Sequence, residues 1–372
     1  MRLLIVSLRG PTNADRRGGA QDYIRAIARP WVRDGHKVTI LCAQETLPDG
    51  AALPEAETVD GLAVVRVGSA SDRAAPLARE AKRRAPEADA VVENIMAFPL
   101  ALPWRLGAAV PLVAVKHHFQ GATFVRSQGL VRGWVGRAME DGLQPLAYRT
   151  TPLVVPSQKT AEHVRQQWVT HRAPLHVIPP PVALPDPAPA ALAEAPTVLY
   201  LGALHLSRKR VDHLIEAFRE VLADVPSARL VIAGGGPDRA QLEAQAEGLP
   251  VHFAGFVSDE EKARLLSEAW VFASPSLQEG FGITWVEAGA YGVPVVGYRV
   301  DGLDTVTDDC AIMVEPGDRA ALADGLREVL LGPDRRQSLS EAARANARRF
   351  DPLRASREFL QVIEQEVKRA RG

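Results

Sequence analysis

Cysteine is scarce in this chain of 372 residues, which contains only Cys42 and Cys310. Two cysteines cannot build the disulfide framework of a small secreted domain, so the composition favours a reducing compartment. Long apolar runs are missing as well. The N-terminal run Leu3–Leu8 is too short for a signal-peptide core or a membrane-spanning helix. We therefore expect a soluble, cytoplasmic protein.

Several ligand-binding motifs are also absent. The chain has no RNP aromatic pattern, no zinc-ligand spacing and no basic block, so we expect no nucleic-acid partner. No G-x-G-x-x-G follows the first apolar run, which leaves dinucleotide binding unsupported. No Asp-x-Asp lies in a suitable loop, and Asp308-Asp309 is interpreted as a turn. We expect no metal and no other cofactor.

A net charge of −1 conceals a strong asymmetry between the two halves of the chain. Residues 1–183 hold 23 basic and 16 acidic side chains, a net of +7, whereas the remainder holds 21 and 29, a net of −8. A basic half joined to an acidic half suits an anionic ligand or surface that one half alone contacts. It equally suits two halves that attract each other across a cleft.

Short apolar runs alternate with helical segments along the whole chain. Continuous apolar runs between helices are typical of buried parallel strands, so the pattern predicts an α/β fold with doubly wound sheets. Helices are predicted over 72–86 and 126–149, among others. The predicted strands are LLIVSL, HKVTILCA, LAVVRVG, AVVENIM, PLVAVKH and LVVPS, followed by TVLYLG, ARLVIAGGG, PVHFAGFV, WVFASPS, PVVGY and CAIMVEP.

A proline-rich stretch interrupts this alternation near residue 185, as expected of a stiff linker. The pattern then restarts, which indicates two similar domains. Ligands of open α/β sheets bind beyond the carboxyl ends of the strands, so the default site is a cleft between the domains. We predict an N-terminal domain over 1–183, a linker over 184–196, a C-terminal domain over 197–350, and a last helix over 351–372 that packs back on the N-terminal domain.

The most informative segment runs from Glu279 to Glu287 and reads EGFGITWVE. Gly280 and Gly282 permit close backbone approach just before a helix, whose first amides form a site for a phosphate or diphosphate. A carboxylate on either side of such a site can accept hydrogen bonds from sugar hydroxyls. The plainer alternative is a helix-capping Glu279 and a solvated Glu287.

This segment resembles the E-x7-E signature of retaining glycosyltransferases of family 4, and the following A-x-A-x-G-x-P-V-V also matches. The resemblance implies the GT-B architecture, two Rossmann-like domains that face each other across a cleft. It implies a metal-independent, retaining hexosyltransferase that moves a sugar from a nucleotide-diphospho-sugar to an acceptor hydroxyl. In that family the turn at Glu279, Phe281, Gly282 and Ile283 would bind the donor sugar and diphosphate, and Glu287 would hold the ribose.

A second segment, YLGALHLSRKRVDHL, places Arg208 and Lys209 between a strand and a helix. Adjacent cations there suit a diphosphate, because Arg supplies forked donors and Lys a point charge. The alternative is a solvated basic turn. The resemblance gives the pair the diphosphate role and places the donor against Gly202. Ala203 departs from the family pattern, since many members have Arg there.

Three further positions take their roles from the resemblance alone. Gly19, with Gly18, resembles a glycine loop that approaches the donor phosphate from the N-terminal domain. His117 lies at the end of the predicted strand PLVAVKH and would contact the donor sugar, with His118 one residue away; the alternative is an ordinary surface histidine. Val257 lies in a segment whose backbone would meet the nucleotide base.

Two rival functions remain open at this point. One is a sugar-nucleotide epimerase of the same fold, and the other is a non-catalytic protein that binds a sugar nucleotide. The acceptor could be a glycan, a lipid-linked sugar or a small molecule. Residues 126–139 carry apolar side chains at helical spacing with Arg126, Arg132 and Arg137 interleaved. They suit either peripheral contact with an anionic membrane or a helix packed into the N-terminal domain.

Overall fold

The structure is a computed structural model that describes residues 1–12, 19–47, 50–69, 72–96, 99–107, 110–117, 119, 130–185, 192–279, 281–300, 303 and 305–372, with only the backbone of 130–132. The chain divides into two compact units. Unit 1 comprises Met1–Pro181 and Pro352–Gly372, and unit 2 comprises Val182–Asp351. With the last helix included, unit 1 carries a net charge of +9 and unit 2 a net charge of −10.

Unit 1 is built on a sheet whose strand order in the described residues is β3-β4-β2-β1-β5-β6-β7-β8. All neighbouring strands are parallel except the pair β3 and β4. The strands are β1 (Arg2–Ser7), β2 (Lys37–Ala43), β3 (Ala56–Val59), β4 (Leu62–Val67), β5 (Ala90–Ile95), β6 (Leu112–Lys116), β7 (Leu153–Val155) and β8 (Leu175–Val177).

The helices of unit 1 in the described residues are α1 (Gly19–Arg33), α2 (Ala74–Arg84), α3 (Leu102–Leu106), α4 (Leu130–Ala138), α5 (Gln144–Ala147), α6 (Gln158–Gln167) and α14 (Pro352–Arg371). A π-helical turn, Met139–Leu143, joins α4 to α5. The last helix, α14, packs on α1. There Trp31 Nε1 donates to the carbonyl of Ser356 over 3.0 Å, and the rings of Trp31 and Phe359 lie 5.5 Å apart.

Unit 2 has a fully parallel sheet of order β11-β10-β9-β12-β13-β14 within the described part of the chain. Its strands are β9 (Thr197–Leu201), β10 (Arg229–Ala233), β11 (Val251–Gly255), β12 (Val271–Ser274), β13 (Val295–Tyr298) and β14 (Ala311–Val314). Its helices are α7 (Leu206–Lys209), α8 (Val211–Val221), α9 (Arg239–Gln245), α10 (Asp259–Glu268), α11 (Ile283–Ala290), α12 (Arg319–Leu331) and α13 (Pro333–Ala347).

These two sheets confirm the predicted α/β fold class. Three central strands are buried as expected: β5 and β9 along their whole length, and β1 at every residue but Arg2. Two short edge strands, β3 and β8, were missed because their side chains are half-buried or exposed and form no apolar run. The helix predicted over 126–149 is divided by the π-helical turn, and residues 126–129 lie outside the described residues.

Each sheet contains one point where the order of the strands reverses, which is called its switch point. In unit 1 the reversal lies between β1 and β5, and in unit 2 it lies between β9 and β12. Loops that leave the carboxyl ends of two such neighbouring strands diverge and leave a crevice, where ligands of open α/β sheets bind. The fold therefore selects the loops after β9 and β12, and those after β1 and β5, as the regions to examine.

None of the helices in the described part of the chain is long and apolar enough to cross a membrane.

Candidate active site

The loops after β9 and β12 meet at the switch point of unit 2. Lys209 comes from the first loop and Glu279 from the second, and Lys209 Nζ lies 2.5 Å from Glu279 Oε1. A backbone hydrogen bond of 2.8 Å from the amide of Leu277 to the carbonyl of Arg208 fixes the same two loops. The structure thus brings together two predicted site residues that are 70 positions apart in the sequence.

The predicted basic pair lies in the single-turn helix α7 rather than in an irregular loop. The Asp238 carboxylate accepts a hydrogen bond of 2.7 Å from the amide of Leu206, the first residue of that turn. Arg210 ends the turn with φ +45° and ψ +43°, a left-handed conformation rare outside glycine, and α8 begins at the next residue. Arg208 is exposed and Lys209 half-buried, so both ammonium and guanidinium groups are accessible to an anion.

Glycines allow the loop after β10 to pack tightly against the loop after β9. A Cβ atom at Gly234 would lie 1.9 Å from the carbonyl oxygen of Gly202, and one at Gly236 would lie 2.2 Å from that of Leu204. Only glycine permits this approach. The amides of Gly202 and Leu204 donate to the carbonyls of Ala233 and Gly235 over 3.0 Å each. The backbone at Gly202 is therefore held firmly beside the α7 turn.

The second loop ends in a left-handed glycine at the start of α11. Gly282 has φ +75°, and a Cβ atom there would lie 2.4 Å from Leu303 Cδ2. As the N-cap of α11, Gly282 has no side chain that could accept from the first-turn amides, which suits an anionic ligand at Ile283. The carbonyl of Phe281 accepts the Thr305 hydroxyl over 2.9 Å. Gly280 lies outside the described residues.

Glu287 lies in the second turn of α11 and pairs with a lysine that sequence reasoning missed. Lys262 Nζ is 2.8 Å from Glu287 Oε1, and the two side chains are 34% and 20% exposed. Lys262 lies one turn into α10, which begins two residues after Val257. Val257 itself is half-buried. A lysine one turn into a helix resembles any solvated charge in the sequence, so no signal pointed to it.

At the switch point of unit 1, a chain of hydrogen bonds reaches His117. The Asn94 amide nitrogen donates to Ser7 Oγ over 3.0 Å, and Asn94 Oδ1 lies 2.7 Å from His117 Nε2. The Tyr23 ring meets the imidazole edge-to-face at 5.2 Å. Asn94 was also missed, although a polar residue at the end of the run AVVEN was a signal. Gly19 is the first residue of α1, while Gly18 and His118 lie outside the described residues.

Two buried charged groups flank this chain in unit 1. Glu93 accepts from the Tyr148 hydroxyl over 2.5 Å and from the amides of Leu100 and Leu102 over 3.1 and 3.2 Å. Burial nevertheless raises the pKa of Glu93 to about 7, because these hydrogen bonds only partly offset the loss of hydration.

Lys116, at the end of β6, is the second buried group. Its ammonium lies 2.9 Å from Glu140 Oε1 and 2.8 Å from Gln144 Oε1, both on the helical segment that contains the π-helical turn. Burial lowers the pKa of Lys116, and the charge of Glu140 opposes that effect. Its partners hold Lys116 inside the unit, so it fixes the end of β6, from which His117 follows.

Among the described residues, no group of three or more His, Cys, Asp and Glu side chains could hold a metal ion. Cys42 and Cys310 are free thiols, and both are buried. Burial raises the pKa of Cys42 to about 12, which makes its thiolate inaccessible near neutral pH.

Two family models match most of the chain between them. The model described as Glycosyltransferase Family 4 matches residues 17–184, and the model described as Glycosyl transferases group 1 matches residues 187–346.

The relatives that are similar in sequence include two bacterial transferases. A D-inositol 3-phosphate glycosyltransferase of Xylanimonas cellulosilytica is 32% identical over 290 residues, 70% of this chain and 67% of the relative. A phosphatidyl-myo-inositol mannosyltransferase of Mycobacterium leprae is 36% identical over 173 residues, 45% of this chain and 46% of the relative. The match to the mannosyltransferase therefore spans less than half of that protein's length.

The solved structures that share the fold over nearly the whole chain include one synthase and one complex with UDP-glucose. Sucrose-phosphate synthase from Thermosynechococcus elongatus has a TM-score of 0.75 at 20% identity, with 98% of this chain and 99% of that chain covered. Anabaena HepE, solved in complex with UDP-glucose, has a TM-score of 0.70 at 19% identity, with 98% and 100% covered. At these identities the likeness establishes the GT-B fold alone.

Proposed function

The chain belongs to glycosyltransferase family 4, and from this premise we propose that it is a retaining, metal-independent transferase that uses a nucleotide-diphospho-sugar. It moves the sugar to an acceptor hydroxyl, with departure of the nucleoside diphosphate. The observation that carries the proposal is the contact between Lys209 and Glu279 at the switch point of unit 2. A cation and a carboxylate side by side match a ligand that combines a diphosphate with sugar hydroxyls.

Each group near this contact has a role that follows from its charge. Arg208, Lys209 and the first backbone amides of α11, which begins at Ile283, stabilise the negative charge that develops on the departing diphosphate. Glu279 orients the sugar through its hydroxyls, and its pairing with Lys209 keeps both groups in place. Glu287 holds the ribose hydroxyls. Such cationic and dipolar stabilisation replaces the Lewis acid of metal-dependent enzymes.

The acceptor side falls to unit 1. His117, fixed by Asn94 and Tyr23, contacts the transferred sugar near the reacting carbon. Both relatives named above act, by their names, on inositol-containing molecules. An acceptor with a polyol hydroxyl, free or attached to a lipid, is therefore the first class to test.

The decisive experiment combines donors and acceptors in one panel. GDP-mannose, UDP-glucose, UDP-N-acetylglucosamine and ADP-glucose would be incubated with myo-inositol, inositol phosphate and phosphatidylinositol, with and without EDTA. We expect a single donor to yield a product whose one-bond carbon–proton coupling at the anomeric carbon shows retention, at the same rate in EDTA. Inversion, or a rate that requires added magnesium, would contradict the corresponding part of the proposal. A donor that isomerises without any acceptor would favour the epimerase alternative.

Glu279→Ala tests the site itself. We expect transfer to fall at least about a hundredfold, the scale found when one preorganised group at a reacting centre is removed. The neighbouring exposed Gln278→Ala is the matched control and should keep normal activity. Normal activity of Glu279→Ala would remove this carboxylate from the site.

We also propose that α4 contacts an anionic membrane surface, which would suit a lipid-linked acceptor. Trp134 and Val135 on this helix are 59% and 51% exposed, and the Arg137 guanidinium lies 5.9 Å from the Trp134 ring. Exposed Trp beside Arg on a unit of net charge +9 is the composition of an interfacial helix. The alternative of complete packing into the unit fits Gly133 and Gly136, which are buried, but not Trp134.

Sedimentation with vesicles of phosphatidylglycerol and phosphatidylcholine tests this contact. The protein should sediment with the vesicles at low salt, and less of the Trp134→Ala variant should do so. Added salt should weaken binding, because charges more than about 8 Å apart are largely screened at physiological ionic strength. Trp270→Phe, a half-buried Trp of unit 2, serves as control. No sedimentation at low salt, or sedimentation unchanged in Trp134→Ala, would exclude membrane contact through α4.

A further inference from the structure

Arg210 joins the α7 turn, which carries Arg208 and Lys209, to the helix α8. Its backbone is left-handed, with φ +45° and ψ +43°, a conformation that costs free energy in a residue with a Cβ atom. The helix that follows is fixed, because its residues Val211 and Leu214 are fully buried in the core of unit 2. The direction in which the α7 turn leaves α8 therefore depends on the conformation of Arg210.

Contacts of its side chain hold Arg210 in this conformation. The guanidinium donates to the two carboxylate oxygens of Asp212 over 3.0 and 2.7 Å, and it also contacts Nε2 of His213. His213 is buried, and its Nδ1 lies 2.8 Å from the hydroxyl of Tyr298 on β13. These four side chains form the Arg210 clamp. The clamp ties Arg210 to the first turn of α8 and to the sheet, which offsets the cost of its backbone.

The clamp requires a neutral His213. A guanidinium has N–H donors and no acceptor, so Nε2 of His213 accepts the contact with Arg210. The hydrogen of the neutral imidazole is then on Nδ1 and is donated to the hydroxyl of Tyr298, whose pKa burial raises to about 12. A proton on Nε2 would break the contact with Arg210 and attract that nitrogen to Asp212 Oδ2, 3.9 Å away.

Charged groups on three segments of the described chain face His213. They are Arg210 before α8, Asp212 and Glu216 on α8, and Arg319 at the start of α12. Burial lowers the pKa of His213 below its usual value of 6.5, and the positive charges of Arg210 and Arg319 add to this effect, whereas the two carboxylates oppose it. The clamp is therefore intact at neutral pH, and it is lost as the pH falls through this lowered pKa.

The α7 turn transmits the conformation of Arg210 to the proposed diphosphate site. The carbonyl of Arg208 accepts from the amide of Leu277 over 2.8 Å, and Lys209 Nζ lies 2.5 Å from Glu279 Oε1. Both cations directly precede Arg210 in a turn of four residues, so a change in φ at Arg210 would move them together.

We propose that Arg210 is a positioning residue whose clamp aims Arg208 and Lys209 at the donor diphosphate, an inference that rests on the proposed function. Arg210 acts through the turn, because its Nε and one Nη atom are bound to Asp212. Protonation of His213 releases the clamp. Acid therefore weakens diphosphate binding through a group that lies outside the site.

Isothermal titration of the full chain with inorganic diphosphate, GDP, ADP and UDP tests this role. Arg210→Ala keeps the cost of the left-handed backbone and loses the clamp, so we expect affinity for diphosphate to fall about tenfold. Arg210→Gly also loses the clamp, but glycine adopts this conformation without cost, so the loss should be only about threefold. Arg327→Ala is the matched control and should bind as wild type does, because Arg327 is a half-buried arginine of unit 2 that pairs with two carboxylates on other helical turns.

A comparison with His213→Gln tests the dependence on pH. Glutamine can accept from Arg210 and donate to Tyr298, but it does not titrate. Affinity for inorganic diphosphate would be measured for both proteins from about pH 8 to about pH 5, the range in which histidine titrates. The ligand titrates equally in both experiments, so the ratio of the two affinities reports on His213 alone. We expect wild type to lose up to about tenfold relative to His213→Gln as the pH falls.

A direct contact between the guanidinium and the ligand would give a different result. Arg210→Gly would then bind as weakly as Arg210→Ala, and Tyr298→Phe, which leaves the guanidinium in place, would bind as wild type does. That pair of results would overturn the proposal. If Arg210 is a positioning residue, Tyr298→Phe should weaken diphosphate binding about threefold, because Nδ1 of His213 loses its acceptor.

The outcomes separate this inference from the proposed function. If wild type binds these ligands and Arg210→Ala binds them within about twofold, Arg210 does not position the pair, although the donor proposal stands. A lower melting temperature with unchanged affinity would likewise leave the clamp a structural role only. A ratio of wild type to His213→Gln that is constant with pH would overturn the role of His213. If wild type binds none of the ligands, the donor proposal fails, and the positioning role fails with it.

Discussion

The polar groups at the two switch points differ in how they are held. In unit 2, the contacts Lys209–Glu279 and Lys262–Glu287 join side chains that are 12–34% exposed. In unit 1, the corresponding side chains are at most 3% exposed and contact other side chains or the backbone of the same unit; they are Glu93, Asn94, Lys116 and Glu140. Groups of the first kind can exchange one partner for a ligand at little cost, whereas groups of the second kind cannot leave their partners.

This difference suggests a division of labour between the units. Half-exposed ion pairs contribute little to stability, typically 0–1 kcal/mol, so unit 2 can use its charges for binding. Buried charges are costly to separate, so those of unit 1 fix the strands that support His117. Changes to the half-exposed pairs of unit 2 should therefore alter activity and spare the fold, and changes to the buried charges of unit 1 should chiefly alter stability.

The largest effect is expected from replacement of both Arg208 and Lys209 by alanine. Each charged contact with the diphosphate is worth about 1.5–3 kcal/mol, so kcat/KM should fall a hundredfold or more. The fall should include kcat, because the charge on the diphosphate is greatest as it departs. Steady-state kinetics and a thermal melt would be measured together.

Arg219→Ala, on the last turn of α8, is the matched control and should leave the kinetics unchanged. A double variant with normal kinetics would restore the interpretation of Arg208 and Lys209 as a solvated basic turn. A melting temperature that falls in step with activity would break the comparison, because unit 2 would then depend on these charges for its stability.

The second effect belongs to unit 1. Lys116→Met leaves Glu140 as a buried charge without its cation, which should lower the free energy of unfolding by about 3–5 kcal/mol. Adding Glu140→Leu should recover most of the loss, since it removes the stranded charge. Urea unfolding followed by tryptophan fluorescence measures this change, and part of the signal comes from Trp168, whose ring lies 5.7 Å from Lys116 Nζ. If Lys116→Met is as stable as wild type, the buried pair does not hold unit 1 together.

The sequence predicted the strands better than the contacts of the site. All six strands of unit 2 were predicted, because each is a short apolar run between turn residues, whereas β3 and β8 have no such run. Glu279 and Lys209 were singled out separately, but their contact depends on β12 pairing with β9. Strand order is decided by long-range pairing that no local pattern records. Lys262 was missed because its local sequence is that of any solvated helix charge, whereas Asn94 carried a local signal, a polar residue at the end of an apolar run.

A third effect should appear in the pH dependence of unit 1. The pKa of Glu93 is raised from 4.5 to about 7 in the folded chain, so its favourable contribution is complete below pH 4.5 and is lost as pH rises through 7. The shift corresponds to about 3 kcal/mol. Glu93→Gln cannot ionise there, so its stability relative to wild type should improve by that amount between pH 4.5 and pH 8.

Urea unfolding of wild type and Glu93→Gln at a series of pH values measures the difference directly. Tyr148→Phe serves as a comparison, since it removes a donor to Glu93 but leaves the carboxyl group in place. A constant difference between Glu93→Gln and wild type across this range would show that Glu93 titrates as an ordinary carboxyl group. The buried character assigned to unit 1 would then not extend to Glu93.

The smallest effect returns to unit 2, at Glu287. Its contact with Lys262 is half-exposed, so Glu287→Ala should leave the fold intact and lower donor affinity about tenfold through lost hydrogen bonds to the ribose. Because those contacts exist before and during the reaction, kcat should change little. Glu243→Ala, which removes an exposed carboxylate paired with Arg239, is the matched control.

Donors without the ribose 2′- and 3′-hydroxyls make the test specific. Wild type should bind them about as weakly as Glu287→Ala binds the normal donor, and Glu287→Ala should not distinguish the two donors. If Glu287→Ala still prefers the donor with both hydroxyls, the ribose is held elsewhere, and the contact with Lys262 is a surface ion pair with no part in binding.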